Sequence, residues 1–115
     1  MAATANLRPG KLNIKMTRGD TAASPILIKE GGVPADLTGR TYSCQIRRSV
    51  NTSSGVEVEV DTSQAASGII TLRLSEEITA EMNGDYMWDL EQTTNGVVRT
   101  ILAGTWSFEE DITRG

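Results

Sequence analysis

The sequence has 115 residues, one cysteine and no histidine, which is about the size of one small domain. Without histidine, a Ser-His-Asp triad, a Cys-His pair or a histidine-ligated metal site cannot form. The single cysteine, Cys44, excludes an intramolecular disulfide and a thiolate cluster. The composition therefore predicts a protein that is not an enzyme and that needs neither a cofactor nor a metal.

The charge is distributed unevenly along the chain. Eleven basic and 15 acidic residues give a net charge of −4, which argues against nucleic acid as a partner. Residues 1–19 have a charge of +4 and the rest −8, because the first segment contains no acid. No apolar run is long enough to span a membrane, and the N-terminus lacks the apolar stretch of a signal peptide. We expect a soluble protein made in a cytoplasm, with no membrane partner.

Residues 1–11 are mostly small or polar, show no periodicity and contain Pro9-Gly10. This pattern predicts an extended N-terminal arm, whereas residues 12–115 form a single domain without internal repeats. An oppositely charged arm and body are suited to contact with a neighbouring copy or an acidic partner. The candidate partner-binding residues of this segment are Arg8, Lys11 and Lys15. An unstructured tail is the alternative for these first 11 residues.

Alternation of apolar and polar residues dominates the rest of the chain and predicts seven strands. Ser75 begins the one helical segment, of one or two turns, because it can cap a helix that Glu76 and Glu77 open. The predicted fold is all-β, a single antiparallel immunoglobulin-like β-sandwich with one short helix and the extended arm. The strands fall near residues 12–16, 26–28, 42–47, 56–61, 70–74, 86–90 and 97–109.

The last strand, 97–109, has two candidate apolar faces. Its even positions, from Val98 to Phe108, are mostly apolar, but Val97, Ile101 and Ala103 are apolar as well. Either the first half is covered on both faces, or a β-bulge at Gly104 changes the phase. Asn95-Gly96 before it predicts a hairpin turn.

Tyr86 and Trp88 stand two residues apart after Gly84, as at the corner that opens strand F of immunoglobulin-type sandwiches. There a tyrosine hydroxyl bonds back to the chain and the second residue points into the core. We therefore interpret both side chains as structural, with ligand stacking as the alternative.

Several short patterns have simpler explanations than the functions they suggest. Arg18-Gly19-Asp20 matches an integrin-recognition tripeptide and is interpreted as a turn. Asn51-Thr52-Ser53 fits the glycosylation pattern and is interpreted as a loop. Cys44 alternates with Tyr42 and Ile46 and is interpreted as a small buried residue.

The acidic residues could in principle bind calcium or serve as a glycosidase pair. No calcium-loop spacing accompanies them, and acidic strand ends are usually solvated. The carboxylates in question are Glu57, Glu59, Glu109, Glu110 and Asp111.

The order of these segments resembles a β-sandwich module of tailed bacteriophages, the N-terminal domain of the phage baseplate upper protein family and related short virion proteins. The resemblance covers residues 16–114 and is carried by an RGDT turn, DLTGRTY, GIITLRLSEEIT, NGDYMWDL and ILAGTWSFEEDITR. It implies a virion structural role and no catalytic residues. Members of the family continue into a region that engages receptor-binding proteins, which is absent from the 115 residues here.

Together these observations predict a structural protein of a tailed bacteriophage virion, in the tail or baseplate. Its expected partners are other phage structural proteins and copies of itself in a symmetric assembly. A head decoration protein that stabilises the capsid is the first alternative. A carbohydrate- or receptor-binding module is the second, and it would need exposed aromatic side chains.

Overall fold

The computed structural model describes residues 10–48 and 55–110, which are mostly strand and turn. All seven predicted strands are present, and three two-residue strands bring the number in the described ranges to ten. The predicted helix is a single turn, α1 (Glu76–Thr79), and residues 65–67 form a 3-10 turn. The strands are β1 (Gly10–Lys11), β2 (Ile14–Thr17), β3 (Ala22–Leu27), β4 (Lys29–Glu30), β5 (Val33–Pro34), β6 (Thr41–Arg47), β7 (Val56–Asp61), β8 (Ile69–Leu74), β9 (Gly84–Thr94) and β10 (Val97–Glu109).

Eight of these strands form one curled sheet in the order β1-β10-β9-β6-β7-β8-β3, with β2 also on β10. β7 joins the two halves: residues 56–58 pair with β6, and residues 59–61 pair with β8. The curl turns one part of the sheet into a half-barrel. The hydrogen-bonded path therefore continues through β7 from one half to the other, whereas the predicted sandwich consists of separate sheets.

The three strands that the alternation pattern does not predict are too short to show a period of two. β4 and β5 form a small hairpin around Gly31 and Gly32, both with positive φ, between the strands predicted near residues 26–28 and 42–47. β1 pairs with β10 in parallel, so residues 10 and 11 of the predicted arm lie on the sheet.

The core lies inside the curl and combines three aromatic rings with aliphatic side chains from both halves. The Trp88 and Trp106 rings meet edge-on at 5.7 Å, and the Phe108 ring stacks on Trp106 at 6.2 Å. Cys44 is 1% exposed, as the alternation on β6 predicts. The other buried members include Ile46, Val58, Ile70, Leu72, Leu74, Met82 and Leu90.

The change of phase in β10 comes from a bulge between Thr100 and Leu102, three residues before the predicted position. Before the bulge, Val97 and Val98 point to opposite faces of the strand and are 60% and 58% exposed. The start of β10 is therefore not covered on both faces, which is the other alternative that the sequence allows. The Asn95-Gly96 hairpin turn is confirmed, with positive φ at both residues.

Tyr86 forms the predicted corner. Its hydroxyl accepts a hydrogen bond from the backbone N–H of Asn83 at 3.2 Å. The Arg48 guanidinium lies 4.1 Å from the centre of the Tyr86 ring and donates to the carbonyls of Asn83 and Asp85. Trp88, two residues on, is 3% exposed, so the structural interpretation of both residues is confirmed.

The Arg18-Gly19-Asp20 segment is the predicted turn, and α1 holds it. The fully buried Thr79 hydroxyl donates to the Asp20 carbonyl at 2.6 Å and accepts from the Gly19 N–H at 3.1 Å. The Arg18 guanidinium donates to the Ala80 carbonyl and to Glu110 Oε1. The Arg18 side chain therefore bonds within its own chain, which agrees with the interpretation of the tripeptide as a turn.

The Asp61 carboxylate, at the end of β7, accepts hydrogen bonds from two nearby residues. The backbone N–H of Ser63 donates to Asp61 Oδ1 at 2.9 Å, and the Arg73 guanidinium donates to Asp61 Oδ2 at 2.9 Å. These donors, Ser63 first, lower the pKa of Asp61 from 3.8 to about 2.

We expect Thr79→Val to lower the free energy of unfolding by about 2 kcal/mol or more, because it leaves the Gly19 N–H and the Asp20 carbonyl without their partner. Thr79→Ser keeps the hydroxyl and loses only a methyl group, so it should cost about 1 kcal/mol. Urea unfolding monitored by tryptophan fluorescence gives both values. Equal losses in the two variants would contradict a role for the hydroxyl.

The lowered pKa of Asp61 predicts a pH dependence of stability. The ionised carboxylate stabilises the folded state above pH 3.8, and that contribution is lost as the pH falls towards 2. Asp61→Asn should therefore lose less stability than the unmodified chain between pH 4 and pH 2. Thermal unfolding across this range tests it, with Glu57→Gln, an exposed residue of the same strand, as the matched control. Parallel pH profiles for Asp61→Asn and the unmodified chain would refute this assignment.

Candidate partner-binding edge

The structure places two of the three predicted partner-binding residues on one edge of the sheet. Lys11 lies on β1 and Lys15 on β2, and both residues are exposed. Both strands pair in parallel with the same side of β10, β1 at residues 102–103 and β2 at residues 106–109. Arg8 lies outside the described residues. We call residues 10–17 the N-terminal edge strand.

The contacts of the two lysines leave their charges accessible. Lys15 Nζ lies 3.6 Å from Glu109 Oε1, and the two side chains are 70% and 59% exposed. An exposed pair of this kind adds little to stability, because water and salt screen it. The cations on this edge are therefore not needed to hold the strand in place.

What does hold the N-terminal edge strand is a close crossing at residues 12 and 13. The Leu12 carbonyl accepts a hydrogen bond from the Trp88 indole N–H at 2.9 Å, and its N–H donates to the Ala103 carbonyl at 3.0 Å. The Asn13 side chain accepts from the Thr105 N–H at 3.0 Å. These three bonds satisfy backbone groups where the strand leaves its regular pairing between β1 and β2.

Gly104 makes the crossing possible. A Cβ atom at this position would lie 2.0 Å from the Leu12 carbonyl oxygen and 2.9 Å from Asn13 Oδ1. Since real carbon and oxygen atoms do not approach so closely, only glycine leaves room for the strand above β10. The sequence identifies Gly104 as a special position, but it cannot show that residue 12 fills the space.

A groove of about 660 Å³ lies beside the N-terminal edge strand. Its lining includes Lys11 of β1, Arg47 of β6, and Met87 and Asp89 of β9. Met87 is 42% exposed, so the groove offers an apolar surface between charged side chains. Nothing about Lys11 in the sequence indicates that it borders a groove, because the neighbouring strands come from distant positions.

The one cysteine lies beneath the same part of the sheet. Burial raises the pKa of Cys44 to about 12, and the nearby negative charge of Asp89 adds to the effect. A thiol with this pKa is protonated at neutral pH and is a poor nucleophile. The interpretation of Cys44 as a small buried residue agrees with this environment.

The acidic candidates lie in separate surroundings. Glu109 and Glu110 face Lys15 and Arg18, whereas Glu57 and Glu59 are exposed on β7. Asp111 and the Asn51-Thr52-Ser53 pattern lie outside the described residues. Within residues 10–48 and 55–110, no three histidine, cysteine or carboxylate side chains are grouped so as to hold a metal. The same ranges contain no helix that is long and apolar enough to cross a membrane.

No protein-family model matches this chain, and no curated protein matches it.

Gly104→Ala should force the Leu12 backbone away from β10 and from the Trp88 indole. We therefore expect it to lower the free energy of unfolding by about 2 kcal/mol or more. Gly10→Ala is the matched control, since its Cβ would meet the end of the Leu102 side chain at 3.0 Å and the Ile101 carbonyl oxygen at an ordinary contact distance of 3.6 Å. Urea unfolding gives the stabilities, and amide exchange at Leu12 reports the detachment. A Gly104→Ala protein that retains slow exchange at Leu12 would contradict the steric argument.

Proposed function

We propose that this protein is a non-enzymatic structural protein of a tailed bacteriophage virion, located in its tail or baseplate. Its partners are other phage structural proteins and copies of itself, which it meets in the particle after synthesis in the host cytoplasm. The proposal extends the resemblance of residues 16–114 to the phage sandwich module.

The strongest support for this proposal is the separation of basic and acidic residues. The N-terminal edge strand presents the exposed Lys11 and Lys15 along a single border of the sheet, and residues 20–115 have a charge of −8. A surface with cations on one border and acids elsewhere favours contact between the border of one copy and an acidic face of the next. Arg8 extends the same cationic segment in the sequence.

We also propose that the curled sheet is an immunoglobulin-like sandwich whose two halves meet at β7. The β3–β8 pair and the β6–β9–β10 group contribute to one core. The Tyr86 corner before the buried Trp88 supports the same assignment. Such a rigid unit suits a protein that fits into a ring or lattice rather than one that changes shape.

Mass spectrometry of purified particles from a phage that encodes this chain tests the virion assignment. We expect the chain in intact particles, and its absence would refute the proposal. Its copy number then separates the two locations. A number that follows the tail symmetry agrees with the proposal, whereas one that follows the number of capsid subunits indicates the head decoration role instead.

Variants of the N-terminal edge strand test whether its two lysines contact a partner in the particle. Lys11→Ala and Lys15→Ala should each reduce incorporation into particles and leave thermal stability nearly unchanged, because exposed charges contribute little to folding. Lys29→Ala, an exposed lysine on β4, is the matched control and should assemble normally. Equal incorporation of all three variants would exclude the two lysines from the contact.

A further inference from the structure

The groove beside the N-terminal edge strand is lined by residues of four neighbouring strands, β1, β10, β9 and β6. Lys11 of β1 pairs with Ala103 of β10, which pairs with Asp89 of β9. In the next row, Met87 of β9 pairs with Arg47 of β6. Residues that pair across a sheet point to the same face. This face lies opposite the core, because the alternate positions of β6 and β9 are the buried ones.

Two cations border the apolar part of this groove, which Met87 and Ala103 form. In the described parts of the chain, neither Lys11 nor Arg47 forms an ion pair with a carboxylate. Asp89 is the one carboxylate among the described residues of the lining, so these residues have a net positive charge. Lys11 and Arg47 lie on strands that are three spacings apart, which is about 14 Å. An α-helical turn with its side chains is about 10–12 Å across and therefore fits between them.

The surface of α1 has the opposite character. Thr79 is buried, whereas Glu77, Ile78 and Glu81 are exposed on the other side of the turn. The Glu81 N–H donates to the Ile78 carbonyl at 3.1 Å, so the chain continues to turn past Thr79. Glu77 and Glu81 are four residues apart, where like charges repel each other on a helical turn. Within residues 10–48 and 55–110, no ion pair relieves this repulsion.

We propose that the groove of one copy binds the α1 turn of a second copy. In this contact Ile78 packs against Met87 on the apolar part of the groove. Glu77 and Glu81 lie beside the two cations. The contact joins unlike surfaces, so repeating it from copy to copy forms a ring or an open chain. This inference rests on the proposed function in one respect, since that function requires copies of the protein to meet in an assembly.

Charge, apolar surface and size together favour this occupant. Two unpaired glutamates meet two unpaired cations, which gives the two surfaces complementary potentials. Ile78 and Met87 are both exposed in the single chain, and their contact removes apolar surface from water on both sides. The other helical turn in the described residues, 65–67, has the sequence Ala-Ala-Ser and offers no charge to the groove. The α1 turn is therefore the part of the chain that matches the groove.

Sedimentation equilibrium of the full chain tests the contact. We expect association that rises with protein concentration and weakens at least about tenfold between about 0.01 M and about 0.15 M salt, because salt screens the charge pairs. A chain that stays monomeric up to about 1 mM would overturn the proposal. The virion assignment is decided separately by the composition of purified particles, so either proposal can fail while the other stands.

Charge variants test the groove. Lys11→Glu should weaken association at least about tenfold, because it places an acid beside the glutamates of the α1 turn. Lys29→Glu, the same change at an exposed position of β4, is the matched control and should associate normally. Asp89→Asn should strengthen association, since it removes the carboxylate from the groove. Unchanged tryptophan fluorescence shows that each variant retains its core. Equal association of Lys11→Glu and Lys29→Glu would refute the assignment of the groove.

A mixture of two variants tests whether the contact joins unlike surfaces. Glu81→Lys should weaken association at least about tenfold, whereas Glu59→Lys, at an exposed position of β7, should not. The Glu81→Lys chain keeps an intact groove, and the Lys11→Glu chain keeps an intact α1 turn. Their equimolar mixture should therefore associate more strongly than either variant alone. A mixture that associates no better than its two components would overturn the proposed contact.

Discussion

The approach of the Leu12 backbone to β10 at Gly104 is the constraint on which the position of the N-terminal edge strand depends. The carbonyl of Leu12 takes the place of a side chain at position 104 and accepts the only hydrogen that the buried Trp88 indole can donate. One crossing thus satisfies a polar group of the core and fixes the edge of the sheet. The register of β1 and β2, and with it the positions of Lys11 and Lys15, follows from this contact.

A second constraint acts at the other end of the N-terminal edge strand. The turn at residues 18–20 is bonded to α1 through the Thr79 hydroxyl, and the Arg18 side chain reaches Ala80 and Glu110. The edge strand is therefore fixed at two separate points by polar groups within the molecule. Its exposed lysines contribute little to this attachment and remain available to a partner, as the proposed assembly role requires.

Much of the fold could be predicted because its strands have one buried face. Cys44 and Ile46 on β6, and Ile70 and Leu72 on β8, are buried as their alternation predicts. The pattern does not reveal how the strands are joined. It gives β7 one apolar face, and only the paired structure shows that its two ends belong to different halves of the sheet. A bulge at Gly104 is one of the two explanations that the sequence allows for β10, whereas the register shift lies between Thr100 and Leu102. Apolar residues at both odd and even positions indicate that the phase changes, but they do not show which residue is the extra one.

By itself the sequence determined the mostly β class, seven of the ten described strands, the capped helical turn, the hairpin turn at Asn95-Gly96 and the separation of charge along the chain. These features are local, since each depends on the alternation of neighbouring residues or on the conformations that a few residue types prefer. The tertiary structure decided the curl at β7, the crossing of Leu12 over Gly104 and the location of the lysines on one border. Those features join residues that are far apart in the chain, so they arise only when distant backbone groups have to share the same space and satisfy each other's hydrogen bonds.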